Sequence, residues 1–226
     1  MTTYAWPGFD VVTFHMEVQP NVRTFKGPYS PTEQVVDLQG ERWVGQLALA
    51  PATDVVQGAQ IEAFLNRLHG VTHTFTLHHL RREAPNGTLR DGAAVTVRNG
   101  LGATVSVRNG LGATVQCRRG QPALLYAVAQ GGYQATVVCL PGATLVAGDM
   151  LGVAGQLVQV TEGGTANASG YLPIEFTPRA RSAWAVGAPV QWDAPTFTAA
   201  LSADAGPVTW ARAVADGPAI DFAERL

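Results

Sequence analysis

Three acidic residues, Asp149, Glu175 and Asp193, are the candidates for paired-carboxylate chemistry. Glycosidic cleavage needs two carboxyl groups about 5–10 Å apart on either side of the scissile bond, a separation that sequence does not fix. Trp184 and Trp192 are the only tryptophans near enough in sequence to line a sugar groove beside them. Histidines are the next candidates. His73 and His79 share strand parity but stand six residues apart, about 20 Å at the usual strand rise, while His78 points to the other side. These side chains do not converge on one ion as a metal site requires, so packed or surface histidines are expected. Cys117 and Cys139 occur in Val-Gln-Cys and Val-Val-Cys-Leu contexts, where a thiol serves as a small buried hydrophobe, with a disulfide as the alternative. Asn167-Ala168-Ser169 matches a glycosylation acceptor and, in a glycine-rich loop, is read as a turn. The chain carries no Gly-x-Ser-x-Gly elbow, no His-Glu-x-x-His, no Gly-x-x-x-x-Gly-Lys phosphate loop and no glycine-rich dinucleotide turn. No catalytic, cofactor-binding or metal-binding residue is assigned.

The bulk properties narrow the partners. A globule of 226 residues buries roughly 70% of its unfolded surface, enough for a core without metal or disulfide. The formal charge is −2, which gives no general attraction to nucleic acid or to an anionic bilayer, since both need clustered positive charge. Of the fifteen lysines and arginines only Lys26 is a lysine. The first residues do not join a basic region to an apolar stretch, so a signal peptide is not expected. No apolar run of about eighteen residues could span a membrane as a helix.

The elements that would position a site are mostly strands. Val12, Phe14, Met16 and Val18 alternate with Thr13, His15 and Glu17, the period of a strand with one buried face. Residues 20–32 hold Pro20, Gly27, Pro28 and Pro31, which predict a long loop or arm carrying Phe25 and Tyr29, either exposed for docking or folded back on the core. Val36 and Leu38, a turn at Gln39-Gly40-Glu41, and then Trp43, Leu47 and Leu49 predict a hairpin. Thr53 or Asp54 can cap the one helix expected, whose stripe is Ile61, Phe64, Leu65 and Leu68, with Gly70 as its stop. Residues 71–79 then alternate as a strand.

A decapeptide, Val95 to Thr104, is repeated from Val105 to Thr114 with a single change, Thr96 to Ser106, and a decayed third copy begins at Val115. Its Asn-Gly pairs favour hairpin turns, so a meander is expected with Arg98, Arg108 and Arg118 on one side. That row could hold a phosphate or a carboxylate-rich partner, or be a solvated face; repulsion between like charges on neighbouring strands favours the second. Further strands are expected at 123–127 and 135–140, and closing strands near Thr196-Phe197-Thr198, Pro207 to Ala211 and Ala219 to Ala223.

The order of short motifs is more specific than any of them singly. Gly148-Asp149-Met150-Leu151-Gly152-Val153 turns at Ala154-Gly155 into Gln156-Leu157-Val158-Gln159-Val160-Thr161. After a glycine loop come Tyr171-Leu172-Pro173-Ile174-Glu175-Phe176-Thr177-Pro178-Arg179-Ala180-Arg181 and Ala188-Pro189-Val190-Gln191-Trp192. With Tyr29-Ser30-Pro31-Thr32-Glu33-Gln34-Val35-Val36, Arg42 to Pro51, Ile61 to Leu65 and Thr74 to Leu77, this succession resembles the distal tail proteins, minor tail-tip components of long-tailed, siphovirus-like bacteriophages. The likeness fades between Glu83 and Ala135, and the decapeptide repeat belongs to no pattern of the family.

The resemblance implies a mainly β fold with one α-helix. Residues 1–90 together with 195–226 would form a ring-forming, tail-tube-like β-sandwich, and residues 91–194 an inserted all-β outer module built as a small OB-like barrel. It further implies a structural, non-enzymatic role with no cofactor: a homo-oligomeric ring, commonly a hexamer, at the distal end of the tail, made in the host cytoplasm and carried in the virion. Its partners would be copies of itself, the tail tube protein, and the hub and receptor-binding proteins, with no direct nucleic acid contact and no membrane insertion. Arg23, Phe25, Tyr29 and Trp43 are the expected contacts between copies. Two other functions are weighed: a carbohydrate-binding tail module, which predicts Trp184 or Trp192 exposed on a shallow patch, and a tail-associated glycan hydrolase using Glu175 or Asp149.

Overall fold

The computed structural model describes residues 1–26, 33–38, 40–90, 107–108, 114–115, 121–202, 210–211, 214–215 and 217–225. The chain begins with β1 (Thr3–Ala5), β2 (Val11–Gln19), β3 (Val22–Lys26), β4 (Glu33–Asp37) and β5 (Arg42–Leu49), followed by α1 (Val55–Leu68) and β6 (Thr74–His78). Within the repeat lie β7 (Val107–Arg108) and β8 (Thr114–Val115). Then come β9 (Ala123–Leu124), β10 (Gln134–Val138), β11 (Thr144–Leu145), β12 (Met150–Val153), β13 (Gln156–Glu162), β14 (Gly164–Thr165), β15 (Tyr171–Thr177) and β16 (Val190–Gln191). The last strands are β17 (Thr196–Leu201), β18 (Trp210–Ala211), β19 (Val214–Ala215) and β20 (Ala219–Glu224). The fold is thus mainly β, with α1 the only helix among the described residues, and that helix is neither long nor apolar enough to cross a membrane.

The first six-stranded sheet has the order β1-β6-β17-β20-β5-β2 and draws its strands from both ends of the chain. Its inward parity runs across the pairing: Phe14 and Ile220 each stand opposite Leu47, and Met16 and Phe222 each stand opposite Gly45. Gly45 is required there, because a Cβ would meet the Phe222 ring and the His15 carbonyl oxygen. Threonines, Gln46 and Asp221 fall on the other face, where Gln46 donates to Asp221 at 2.8 Å. Against the apolar face lies α1, burying Ile61, Phe64 and Leu68. Asp54 caps it by accepting from the Gln57 N–H at 2.7 Å, which satisfies an orphan amide of the first turn. The helix ends one residue before the expected glycine, with His69 in the left-handed region at φ 46° and its N–H on the Asn66 carbonyl.

Where the resemblance implies a sandwich, the described residues of this part give one six-stranded sheet and two two-stranded pairs, β3–β4 and β18–β19. The six-stranded sheet's apolar face is closed by α1 and by Met150 of β12 and Leu157 of β13, which belong to the same core as Trp43, Phe197 and Phe222. The hairpin expected between residues 36 and 49 also differs. β4 folds back on β3, from Val22 opposite Asp37 to Lys26 opposite Glu33, and the Leu38 N–H donates to the Asn21 carbonyl at 2.9 Å. β5 takes β2 and β20 as its neighbours. The segment expected as a loop or arm is therefore a two-stranded ribbon, with residues 27–32 outside the described set.

The second six-stranded sheet has the order β16-β12-β13-β15-β10-β9. Its two outer strands also meet: Leu124 donates to the Ala188 carbonyl at 3.0 Å, and Val190 to that of Pro122 at 2.8 Å. It has six strands where an OB fold has five, so the OB likeness rests on no strand-for-strand match. Leu124, Val137, Leu151, Val158, Leu172, Phe176 and Trp184 fill its interior. In the repeat, β7 pairs with β8 so that Arg108 stands opposite Thr114, and the expected Asn-Gly turn between them lies outside the described residues. Arg98, Arg118 and Cys117 lie outside the described residues.

Candidate assembly surface and the junction behind it

Of the residues with catalytic promise, Asp149 and Glu175 are held in hydrogen bonds. Asp149 is 1% exposed; its Oδ1 accepts from the Asn86 N–H at 2.7 Å, and its Oδ2 from those of Gly87 at 3.2 Å and Val146 at 2.9 Å. It fastens the incoming chain to the turn before β12. Replacing it with alanine is expected to leave three backbone N–H groups without this acceptor and to cost about 2–3 kcal/mol, measurable as a fall in the urea midpoint at unchanged m. Glu175 is half-buried and held by Gln134, whose amide donates to Oε1 at 2.6 Å. Asp193 is exposed at the end of the module.

The tryptophans offer no open sugar platform. Trp184 is 2% exposed and stacked on Phe176 at 5.1 Å, while the half-buried Trp192 lies under the Arg90 guanidinium at 4.9 Å. His73 accepts from the Thr2 N–H at 3.3 Å, and His78 stands 3.3 Å from Glu83. His79 meets Phe14 edge-on at 5.0 Å. Burial, reinforced by Arg82, pushes its pKa down from 6.5 to about 4. Among the described residues no group of three or more His, Cys, Asp and Glu side chains converges to hold a metal. Cys139 is a free thiol, its pKa raised by burial.

The four residues expected at a contact between copies fall into different places. Arg23 and Phe25 stand on the exposed ribbon, Phe25 at 54% exposure, with Val22 and Val35 also open to solvent. None of the ribbon's residues belongs to either core. Tyr29 lies outside the described residues. Trp43 is buried at 3% exposure, and its indole N–H donates to the Leu157 carbonyl at 2.7 Å. Its surface is given to the junction between the two sheets and is closed to a neighbouring copy.

That junction is built around Glu224, a residue that the sequence reading did not single out. Its carboxylate, 1% exposed, accepts from the Trp43 N–H at 3.3 Å on its own sheet and from the Leu157 N–H at 3.2 Å on the other. Arg181, shortly after β15, approaches Oε2 at 3.7 Å. Behind it the buried Gln156 side chain accepts from the Arg181 N–H and donates to the Arg179 carbonyl. Arg179 reaches Asp37 at 3.1 Å, and its N–H donates to Glu41, joining the root of the ribbon to the segment after β15. The alternation Ile220, Phe222, Glu224 was the available signal, since period two carries a carboxylate to the inward face.

Among the described residues two surfaces have no strand or helix over them. β2 is the outermost strand of the first sheet and nine residues long, with Val12 at 62% exposure. The opposite edge, β1, has only three residues. β2 runs directly into the ribbon, and an isolated two-stranded ribbon is marginal in water. A long strand with an unpaired edge is a template for pairing with another chain, and exposed Phe25 and Val35 extend it with apolar area.

No protein-family model and no curated protein sequence matches the chain.

Proposed function

We propose that this chain is a structural assembly protein whose copies join edge to edge around an axis. More particularly, it is a ring-forming component of the distal end of a bacteriophage tail, of the distal tail protein type. The open edge of β2, continued by the exposed β3–β4 ribbon, is the observation that carries the reading. A ring requires two different patches on each copy, one meeting the other on its neighbour, with a rotation that closes. The β2 edge and the ribbon supply one patch rich in backbone donors and acceptors and in apolar side chains.

In this reading residues 1–90 together with 195–226 make the ring, commonly of six copies, and residues 91–194 project outward as a small barrel. The ring continues the tail tube on one side and meets hub and receptor-binding proteins on the other, within the virion. The Glu224 junction keeps the outer module at a fixed attitude to the ring. Asp149 offers no free oxygen for hydrolysis, because both are engaged by backbone amides.

Sedimentation velocity on the purified chain tests the reading. The expected result is a discrete species several times the monomer mass of 23.8 kDa, growing with concentration at the expense of monomer. A single 23.8 kDa species at every concentration reached would count against it.

A further inference from the structure

We propose that the outer module carries a binding groove for a neutral oligosaccharide. The groove encloses about 480 Å³ and is lined by Tyr126, Gln134, Thr136, Glu162, Thr165 and Glu175, together with small and apolar residues. That volume lies within the range of small-molecule sites. The proposal concerns the second sheet alone and does not depend on ring assembly.

The floor is a row across three strands. Gln134 on β10 stands opposite Glu175 on β15, and Glu175 stands opposite Glu162 on β13. Regular pairing from Val160 opposite Phe176 would have set Thr161 against Glu175; a bulge between Val160 and Glu162 puts Glu162 there instead. Bulges re-aim side chains in this way. The result sets two carboxylates directly opposite each other, an arrangement that disfavours the sheet by like-charge repulsion. A ligand that donates hydrogen bonds to both would relieve it.

The chemistry of the walls selects the ligand. Among the described residues no Lys, Arg or His lines the groove, so on these walls phosphates, carboxylates and nucleic acid meet only negative charge. The polar groups are two carboxylates, which accept, two threonine hydroxyls, and the Gln134 amide, which is held on Glu175 at 2.6 Å. Tyr126, 65% exposed as a residue, adds to the lining an apolar plate with a polar tip. Hydroxyls that donate to carboxylates, joined to a C–H face that lies on an aromatic ring, are the features of a sugar. The site differs from the tryptophan patch expected for a carbohydrate module, because Trp184 is inside the core.

Calorimetry on the full chain with maltohexaose, cellohexaose, chitohexaose and, as the acidic control, hexagalacturonate tests the proposal, with calcium chloride titrated separately. Binding of at least one neutral hexasaccharide is expected, without binding of hexagalacturonate. Tyr126→Ala should weaken it about tenfold at unchanged melting temperature, since the residue is exposed, and Glu162→Gln should weaken it as well. Failure of all three neutral sugars overturns the proposal. So does sugar binding indifferent to both substitutions. Calcium binding that Glu162→Gln abolishes, in the absence of sugar binding, would reassign the groove to a cation.

Discussion

Replacing Glu224 with alanine is expected to lower stability by about 3–5 kcal/mol, since it leaves two buried backbone N–H groups without an acceptor at about 1–3 kcal/mol each. The substitution leaves the Trp43 and Leu157 N–H groups without their carboxylate acceptor and Arg181 without its partner. Both sheets lose a shared anchor at once, so the urea midpoint should fall sharply. Limited proteolysis should then cut between residues 79 and 90, where the chain passes from one sheet to the other.

The same residue makes a pH prediction with a definite sign. Burial, opposed by the two amide donors and Arg181, raises the Glu224 pKa from 4.5 to about 7. Between those values the folded chain holds a proton that the unfolded chain has released. Its contribution is therefore full below pH 4.5 and is lost as pH rises towards 7, by on the order of 3 kcal/mol. His79 acts in the opposite sense: its lowered pKa gives a contribution that is full above pH 6.5 and is lost as pH falls to about 4. The difference in unfolding free energy between the wild type and Glu224→Gln isolates the carboxyl from His79. Its expected course, measured by urea titration at intervals from pH 4.5 to 7, is a decline of wild-type advantage as pH rises.

The second large effect concerns assembly. Phe25→Ser with Val35→Ser removes the apolar side chains that the ribbon leaves exposed without touching either core. The expected outcome is a monomer that melts within about 1 kcal/mol of the wild type, as substitutions away from packed or paired positions do, but no longer enters the larger species. Arg23→Glu, on the same face as Phe25, should slow assembly and make it more dependent on salt, because a rim charge acts chiefly on association rate. Mass photometry across a concentration series reads both.

Periodicity made single elements legible and pairings much less so. The alternation Phe14, Met16, Val18 became the inward side of β2, while Val12 sits at a register shift and is exposed, and the stripe Ile61, Phe64, Leu68 became the buried side of α1 with Asp54 as its cap. Those signals are local, arising from side chains a few positions apart. The partner of β4 was not legible, since Val36 and Leu38 carry the same alternation whether they pair with residues 42–49 or with 22–26. The junction was hidden for a related reason: Trp43 and the Leu157 carbonyl are 114 positions apart, and Trp43 and Glu224 are 181 apart. Trp43 in a strand reads equally as core or as contact until its indole N–H finds an acceptor. The groove depends on one bulge that reverses the parity of Glu162, which no two-residue period announces.

Electron cryomicroscopy of the wild-type assembly tests the central claim most directly. The account predicts ring-shaped particles with rotational symmetry in which residues 11–19 of each copy, together with the ribbon, lie against a neighbour. Particles in which that edge faces solvent, or in which copies meet only through their outer modules, would contradict it.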